Sequence, residues 1–184
     1  MRLETARIRF RKMVIGDIPT YHKWRNDIDV MRTTNPSLDL YTYAETEAFV
    51  NHVIFGAGDS AKNFIIVDKN NDQAIGITAL VQLDYKNRNA ECILDIGEKE
   101  YWGKGIGTEA LTLLLDYAFL EMNLHRVSLR VFSFNDKAVR LYTKLGFQQE
   151  GISRQAIYRD GSWSDIVHMG ILKEEYLIQK GRSL

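Results

Sequence analysis

The sequence predicts a single-domain α/β protein with one mixed sheet flanked by helices. Three observations predict it. Strand-like and helix-like segments alternate in the order strand, two helices, three strands, helix, strand, helix, two strands, which is the pattern of a mixed sheet. The chain has 184 residues, 45% of them hydrophobic and 26% charged, enough to bury a core without disulfides or metals. No repeat, low-complexity stretch or linker divides it, so residues 1–184 are expected to form one domain.

The elements follow in order. Arg7-Ile8-Arg9-Phe10-Arg11 alternates polar and apolar, as a half-buried strand does. Asp17 is a candidate N-cap and Pro19 suits a first helical turn, so a helix through Tyr21 and Trp24 is expected. Thr42-Tyr43-Ala44-Glu45 has the spacing of a capping box, opening a helix to about Phe55 that ends at Gly56-Ala57-Gly58. Phe64–Val67 and Gln73–Leu83 form a hairpin about the turn residues Asn70-Asn71-Asp72. Ala90–Ile96 is the next strand. After a glycine-rich stretch, Ile106, Ala110, Leu113, Leu114 and Tyr117 fall on one helical face. Val127–Val131 is a strand. Asp136–Leu145 is a helix capped by Asn135 and closed by Gly146. Strands over 147–158 and 163–172 flank Asp160-Gly161, a hairpin turn signal, and a short helix over 174–179 ends the chain.

Composition excludes several classes. With 24 basic and 24 acidic residues there is no basic excess, which argues against a dedicated nucleic-acid binder. The lone Cys92 cannot form an intramolecular disulfide and favours a reducing, cytoplasmic setting. His22, His52, His125 and His168 lack zinc-ligand spacing, so no metal is expected. Met1 to Thr5 carries no apolar signal core, and no apolar run is long enough to span a membrane.

Two segments carry chemistry. In Tyr101-Trp102-Gly103-Lys104-Gly105-Ile106-Gly107-Thr108, three glycines lie between a strand and a helix start. Glycine lets the backbone approach a ligand, and a helix N-terminus offers unpaired N–H groups, so the segment is suited to a pyrophosphate, with Lys104 at its mouth. The spacing fits neither a Walker loop nor the dinucleotide fingerprint. A plain turn before a helix would have the same composition. Gly97, just before the segment, marks a bulge or a close approach of a ligand to the backbone, or else a plain strand end. The second segment runs from Asn135 to Phe147. Tyr142 shares a helical face with Ala138 and Leu145 and is expected to point inward, either as a core tyrosine with a structural hydrogen bond or as a proton donor.

These segments resemble the acetyl-CoA-binding motif and the motif that follows it in the GNAT (GCN5-related N-acetyltransferase) superfamily. The match runs from Ala90 to Leu177, close to half of the chain. Ala90-Glu91, Tyr101-Trp102-Gly103-Lys104-Gly105, Asn123-Leu124-His125, Asn135 to Phe147 and Tyr158-Arg159-Asp160-Gly161 resemble the bacterial branch that holds spermidine acetyltransferases and ribosomal-protein N-terminal acetyltransferases. One departure is Trp102, where the superfamily often has Gln or Arg; aromatic residues occur there in this branch.

The resemblance implies a GNAT-like fold and an acetyl-CoA-dependent N-acetyltransferase. It implies that Asp95, Ile96 and Gly97 meet the pantetheine arm through backbone groups. Trp102, Gly103, Lys104, Gly105, Ile106, Gly107 and Thr108 would hold the pyrophosphate, and Asn135 the cofactor arm. Tyr142 would protonate the departing thiolate, and a backbone N–H near Ile96 would polarise the thioester carbonyl. The amine would attack directly in a ternary complex. Glu91 is the first candidate for the base that frees it, ahead of His125 and His168, with a solvated or ion-paired glutamate as the alternative. Cys92 alternates with Glu91 and faces the other side, against a covalent route. The expected acceptor is a small amine such as a polyamine. A protein N-terminus and a non-catalytic acetyl-CoA-binding module are the alternatives, and a homo-oligomer is the expected assembly. The acceptor would be read by residues 16–58 and the final hairpin, where Glu45, Glu47 and Asp165 offer charge for a cation or are solvated surface.

Overall fold

A computed structural model describes residues 3–181; the two ends of the expected 1–184 domain, including Met1 and Arg2 of the segment read for a signal core, lie outside the described residues. Seven strands form one sheet in the order β1-β2-β3-β4-β5-β7-β6. They are β1 (Ile8–Arg11), β2 (Lys62–Asp68), β3 (Ala74–Asp84), β4 (Asn89–Ile96), β5 (Arg126–Phe132), β6 (Gln148–Arg159) and β7 (Ser162–Leu172). Every neighbouring pair is antiparallel except β4 and β5. That parallel pair requires a crossover, which α4 (Ile106–Asp116) supplies. The mixed sheet is therefore as the sequence predicts, and strand ends differ from expectation by one or two residues.

The helices show where local chemistry was readable. α3 (Tyr43–Phe49) opens on the expected capping box: Glu45 N–H donates to Thr42 Oγ1 (3.2 Å), and Glu45 Oε2 accepts from Thr42 N–H (2.8 Å). Helical turns continue to Ser60, where Gly58 departs from helical geometry. The β6–β7 turn has Asp160 at φ 51° and Gly161 at φ 79°, the left-handed pair that an Asp-Gly hairpin favours. α1 (Ile18–Arg25) differs. Asp17 does not cap it. A 3₁₀ turn over Ile15–Asp17 starts one turn earlier, and the Asp17 carboxylate reaches back to Val14 N–H (2.9 Å) while pairing with Arg11 (2.7 Å). The ion pair outcompetes the cap. The four-residue α2 (Ile28–Met31), capped by Asp27, is too short for periodicity to reveal.

The main core lies between the sheet and α4. Ile106, Ala110, Leu111, Leu113, Leu114 and Leu115 are all buried, a broader stripe than the one read from sequence, because Tyr176 of α6 (Lys173–Gln179) covers part of the helix. Each such leucine contributes about 1.5–3 kcal/mol on burial. A smaller cluster of Met13, Ile18, Val50, Ile65 and Val67 packs α1 and the turns after α3 on the other face.

Gly97 sits where the two layers meet. A Cβ there would overlap Cγ, Cδ2 and Cε2 of Trp24, which is itself buried with its indole N–H on Glu98 Oε1 (2.9 Å). The space beside this glycine on the α1 side is thus taken by the protein's own tryptophan. Gly97→Ala is expected to destabilise the fold by about 1–3 kcal/mol through overpacking, read as a lower urea midpoint with an unchanged slope.

Candidate active site

The site begins where pairing stops. β4 and β5 are hydrogen-bonded neighbours only over Asn89–Glu91 and Arg126–Ser128. Beyond that point β4 continues along β3 to Ile96, and β5 continues along β7 to Phe132. The two parallel strands therefore part, and a gap opens at their C-terminal ends. Gly97 N–H donates to Ile75 O (2.9 Å), so odd-numbered residues of this part of β4 turn their main chain to β3. The main chain of Leu94 and Ile96 turns to the gap. This refines the expectation for Asp95, Ile96 and Gly97: of the three, Ile96 alone offers backbone to a ligand there. Its carbonyl already accepts from Trp102 Nε1 (2.8 Å), which leaves its N–H.

The glycine segment closes one end of the gap. Tyr101 anchors it, donating to Asp68 Oδ2 (2.8 Å) and accepting from Asn71 (3.2 Å). Gly103 has φ 74° and Gly105 φ 79°, so both positions require a left-handed backbone that other residues resist. Gly105 is the N-cap of α4 and no side chain caps the helix. The amides of Ile106, Gly107 and Thr108 are thus left without intrahelical acceptors and point toward the turn. Arg7, just before β1, steadies it, donating to Lys104 O (3.0 Å) and to Glu109 Oε2 (2.6 Å). Gly107 lies inside the helix, facing Leu141 and Leu94 at ordinary contact distance. An uncapped helix start behind two left-handed glycines, beside an open strand edge, fits the diphosphate and amide-bearing arm of coenzyme A.

The helix α5 (Asp136–Lys144) closes the other end. Asn135 Oδ1 accepts from Ala138 N–H (3.2 Å), the predicted cap, and its amide nitrogen has no partner among the described residues. Tyr142 lies two turns in, half-buried, with its ring edge-on to Phe147 at 5.9 Å. Among the described residues nothing hydrogen-bonds its hydroxyl, so a core tyrosine holding a structural hydrogen bond is not what is seen. Burial, with Cys92 and Asp95 adding to it, pushes the phenol above its ordinary value and keeps it protonated at neutral pH.

The remaining candidates separate by face. Ala90 and Cys92 point into the core under α4. Cys92 is 6% exposed and burial pushes its thiol up to about 12, so it is a poor nucleophile. Glu91 and Asp95 alternate onto the opposite face. Glu91 Oε1 accepts from Arg130 Nε (2.9 Å) at the point where the strands separate. Arg130 was missed in the sequence, although its alternation with buried Leu129 and Val131 places it on the face of Glu91. Asp95 lies among Tyr21 of α1, Thr34 and Tyr142, and burial raises its carboxyl to about 6. His168 is bonded to Ser153 Oγ (2.7 Å), and His125 is exposed at the far end of β5. Of the acidic residues considered for a cation, Glu45 is spent on its capping box, Glu47 is exposed, and Asp165 accepts from Gln155 N–H (2.8 Å) beside an open cleft shared with Arg154.

Among the described residues, no helix is long and apolar enough to cross a membrane. The family model of the acetyltransferase (GNAT) domain matches residues 7–148. Spermidine N(1)-acetyltransferase of Vibrio cholerae is 30% identical over 172 residues, covering 94% of this chain and 96% of that protein. The crystal structure of spermidine N-acetyltransferase from Vibrio cholerae in complex with CoA and spermine superposes with a TM-score of 0.85 at 29% identity, over 94% of this chain and 99% of that one. A dodecameric structure of the Vibrio cholerae enzyme in an intermediate state gives 0.78 at 28% identity, over 95% and 99%. With the strand gap, the uncapped helix and the free phenol in place, these similarities establish that the chain belongs to the GNAT family of acetyl-CoA-dependent N-acetyltransferases.

Proposed function

We propose that this enzyme acetylates a primary amine of a small polyamine-like molecule by direct attack in a ternary complex. The observation that carries the reading is the gap between β4 and β5, with the unpartnered Tyr142 hydroxyl beside it. Acetyl-CoA supplies an acetyl group activated as a thioester. The amides at the start of α4 and the turn at Gly103 and Gly105 bind the diphosphate, with Lys104 adding positive charge and Trp102, Ile106, Gly107 and Thr108 completing the cradle. Ile96 N–H orients and polarises the thioester carbonyl, and the Asn135 amide holds the arm. Tyr142 delivers its proton to the sulfur as the C–S bond breaks.

The similarity to spermidine acetyltransferase over nearly the whole chain supports a polyamine over a protein N-terminus. Assembly into a homo-oligomer is part of the same reading. It is supported by the dodecameric relative and by the aromatic pair Tyr158 and Trp163, 58% and 60% exposed on the β6–β7 hairpin. We place the protein in the reducing cytoplasm, where its lone buried thiol needs no partner.

Coenzyme A release with spermidine, other amines and N-terminal peptides tests the substrate class; turnover of peptides alone would reverse the assignment. Tyr142→Phe keeps the packing against Phe147 and removes the proton. A kcat loss of at least roughly tenfold is expected, with acetyl-CoA affinity changed far less. Wild-type kcat under chemistry-limited conditions would make Tyr142 a structural residue. In Gly105→Ala the new Cβ meets protein only at Arg7 Nη2, 3.6 Å away, so the added methyl acts chiefly on the ligand side. Calorimetry should show acetyl-CoA affinity reduced by about tenfold or more, with the left-handed φ costing about 1–2 kcal/mol of stability. Cys92→Ala should retain most activity, and mass spectrometry should trap no acetylated enzyme; a stoichiometric acetyl-thioester on Cys92 would replace direct attack by a two-step route.

A further inference from the structure

Glu91 was the first candidate for the base that frees the amine, but its carboxylate is committed to Arg130 at the apex of the gap. That pair ties β5 to β4 beside the last paired residues, Glu91 and Ser128. The ion pair turns that carboxylate toward β5. The other acidic side chain on the same face of β4 is Asp95, nearer the open end. No cation pairs with it among the described residues. It is half-buried, so solvent or substrate reaches it; Thr34 hydrogen-bonds it, and Tyr21 and Tyr142 lie close enough to feel its charge. Tyr142 comes from the α4 side of the sheet and Tyr21 from the α1 side, so Asp95 sits where the gap joins the two faces.

We propose that the Asp95 carboxylate, between Tyr21, Thr34 and Tyr142 at the open end of the gap, receives the acceptor amine and takes its proton, while Glu91 positions β5 through Arg130. This rests on the acetyltransferase reading given above. The substrate class is a small alkylammonium ion. Asp95 binds the ammonium and accepts one proton, which leaves the nitrogen lone pair free. The C–N bond forms at the acetyl carbonyl carbon and the C–S bond breaks. The sulfur takes the Tyr142 proton, the nitrogen returns its second surplus proton to the Tyr142 oxygen, and Asp95 releases its proton to water. The net products are the acetamide, coenzyme A and one proton.

The charge state of the surroundings supports the assignment. Burial raises Asp95 to about 6, nearer the ammonium value than an ordinary carboxyl, with Thr34 offsetting part of the rise. Tyr21 and Tyr142 are both pushed above the usual phenol value by burial, with Asp95 adding to each. Behind Tyr21 stand the Arg25 cation and Tyr41; on β4 itself are the ion-paired Glu91 and Cys92, pushed up to about 12. Activity is therefore expected to fall at low pH as Asp95 takes up a proton.

The test measures kcat/KM for spermidine from pH 5 to 9 in the wild type, Asp95→Asn, Asp95→Glu and Glu91→Gln, with acetyl-CoA affinity measured by calorimetry. The wild type should lose activity below about pH 6. Asp95→Asn should lose roughly 10²-fold at neutral pH and lack the break near pH 6, its rate changing steadily with pH instead, with acetyl-CoA affinity within about threefold. It should recover as pH rises and free amine accumulates. Asp95→Glu should restore part of the rate, and Glu91→Gln should lose less than Asp95→Asn. An Asp95→Asn protein with wild-type kcat/KM, or with that break intact, overturns the role of Asp95 and leaves the acetyltransferase reading standing. So does an equal loss of acetyl-CoA binding, or a wild type without the break. A wild type that binds acetyl-CoA yet releases coenzyme A with no amine overturns both.

Discussion

The interruption of one parallel ladder governs the rest of this structure. β4 and β5 pair for three residues and then diverge, each held by an antiparallel neighbour on its other side. A parted ladder leaves backbone donors and acceptors unpaired, and buried unpaired groups are costly. The protein removes part of that cost itself: the Trp102 indole takes the Ile96 carbonyl. What remains along the edge is a row of groups that an amide-bearing ligand can satisfy, much as an added strand would. The binding function follows from leaving a sheet deliberately incomplete.

The elements around the gap serve that arrangement from both faces. α4 supplies a buried leucine-rich face that fixes its position, and an uncapped N-terminus that its neighbour Arg7 orients through Glu109 and Lys104 O. α5 is held by its Asn135 cap and by Ala138, Leu141 and Leu145 against the core, while the Tyr142 hydroxyl finds no partner among the described residues. On the opposite face, Trp24 packs on Gly97, and Glu98 bonds both the Trp24 indole and Lys23 Nζ (2.7 Å). That cluster pins α1 to the end of β4 and so sets the wall against which Asp95 lies.

Much of this was legible in the sequence because it is local chemistry. The capping box at Thr42, the Asn135 cap, the Asp160-Gly161 turn and the glycine segment each depend on residues a few positions apart, and each stands where it was predicted. What was not legible depends on partners distant in the chain. Gly97 reads as a bulge, a ligand approach or a strand end, and nothing local discloses that Trp24, more than seventy residues earlier, packs against it. Asp17 read as a cap because its pairing with Arg11 forms only when the strand before the helix is in place. The ion pair of Glu91 is likewise invisible locally, because Arg130 stands on a strand brought alongside by the α4 crossover.

The contrast between the two carboxylates shows why residue type and spacing alone do not assign a proton acceptor. Glu91 and Asp95 lie on one face of one strand, four residues apart, and are chemically alike. Their environments separate them. Glu91 has a guanidinium at 2.9 Å, which draws its carboxylate toward β5. Asp95 is bonded by Thr34 and, among the described residues, paired with no cation, so the desolvated carboxylate gains by meeting one. An alkylammonium ion entering the gap would supply the missing charge. As it gave up its proton, the charge on both partners would vanish together, a change that a low-dielectric site favours. The same burial that keeps Tyr142 protonated for the sulfur thus prepares Asp95 for the nitrogen, and one desolvated gap sets both ends of the proton transfer.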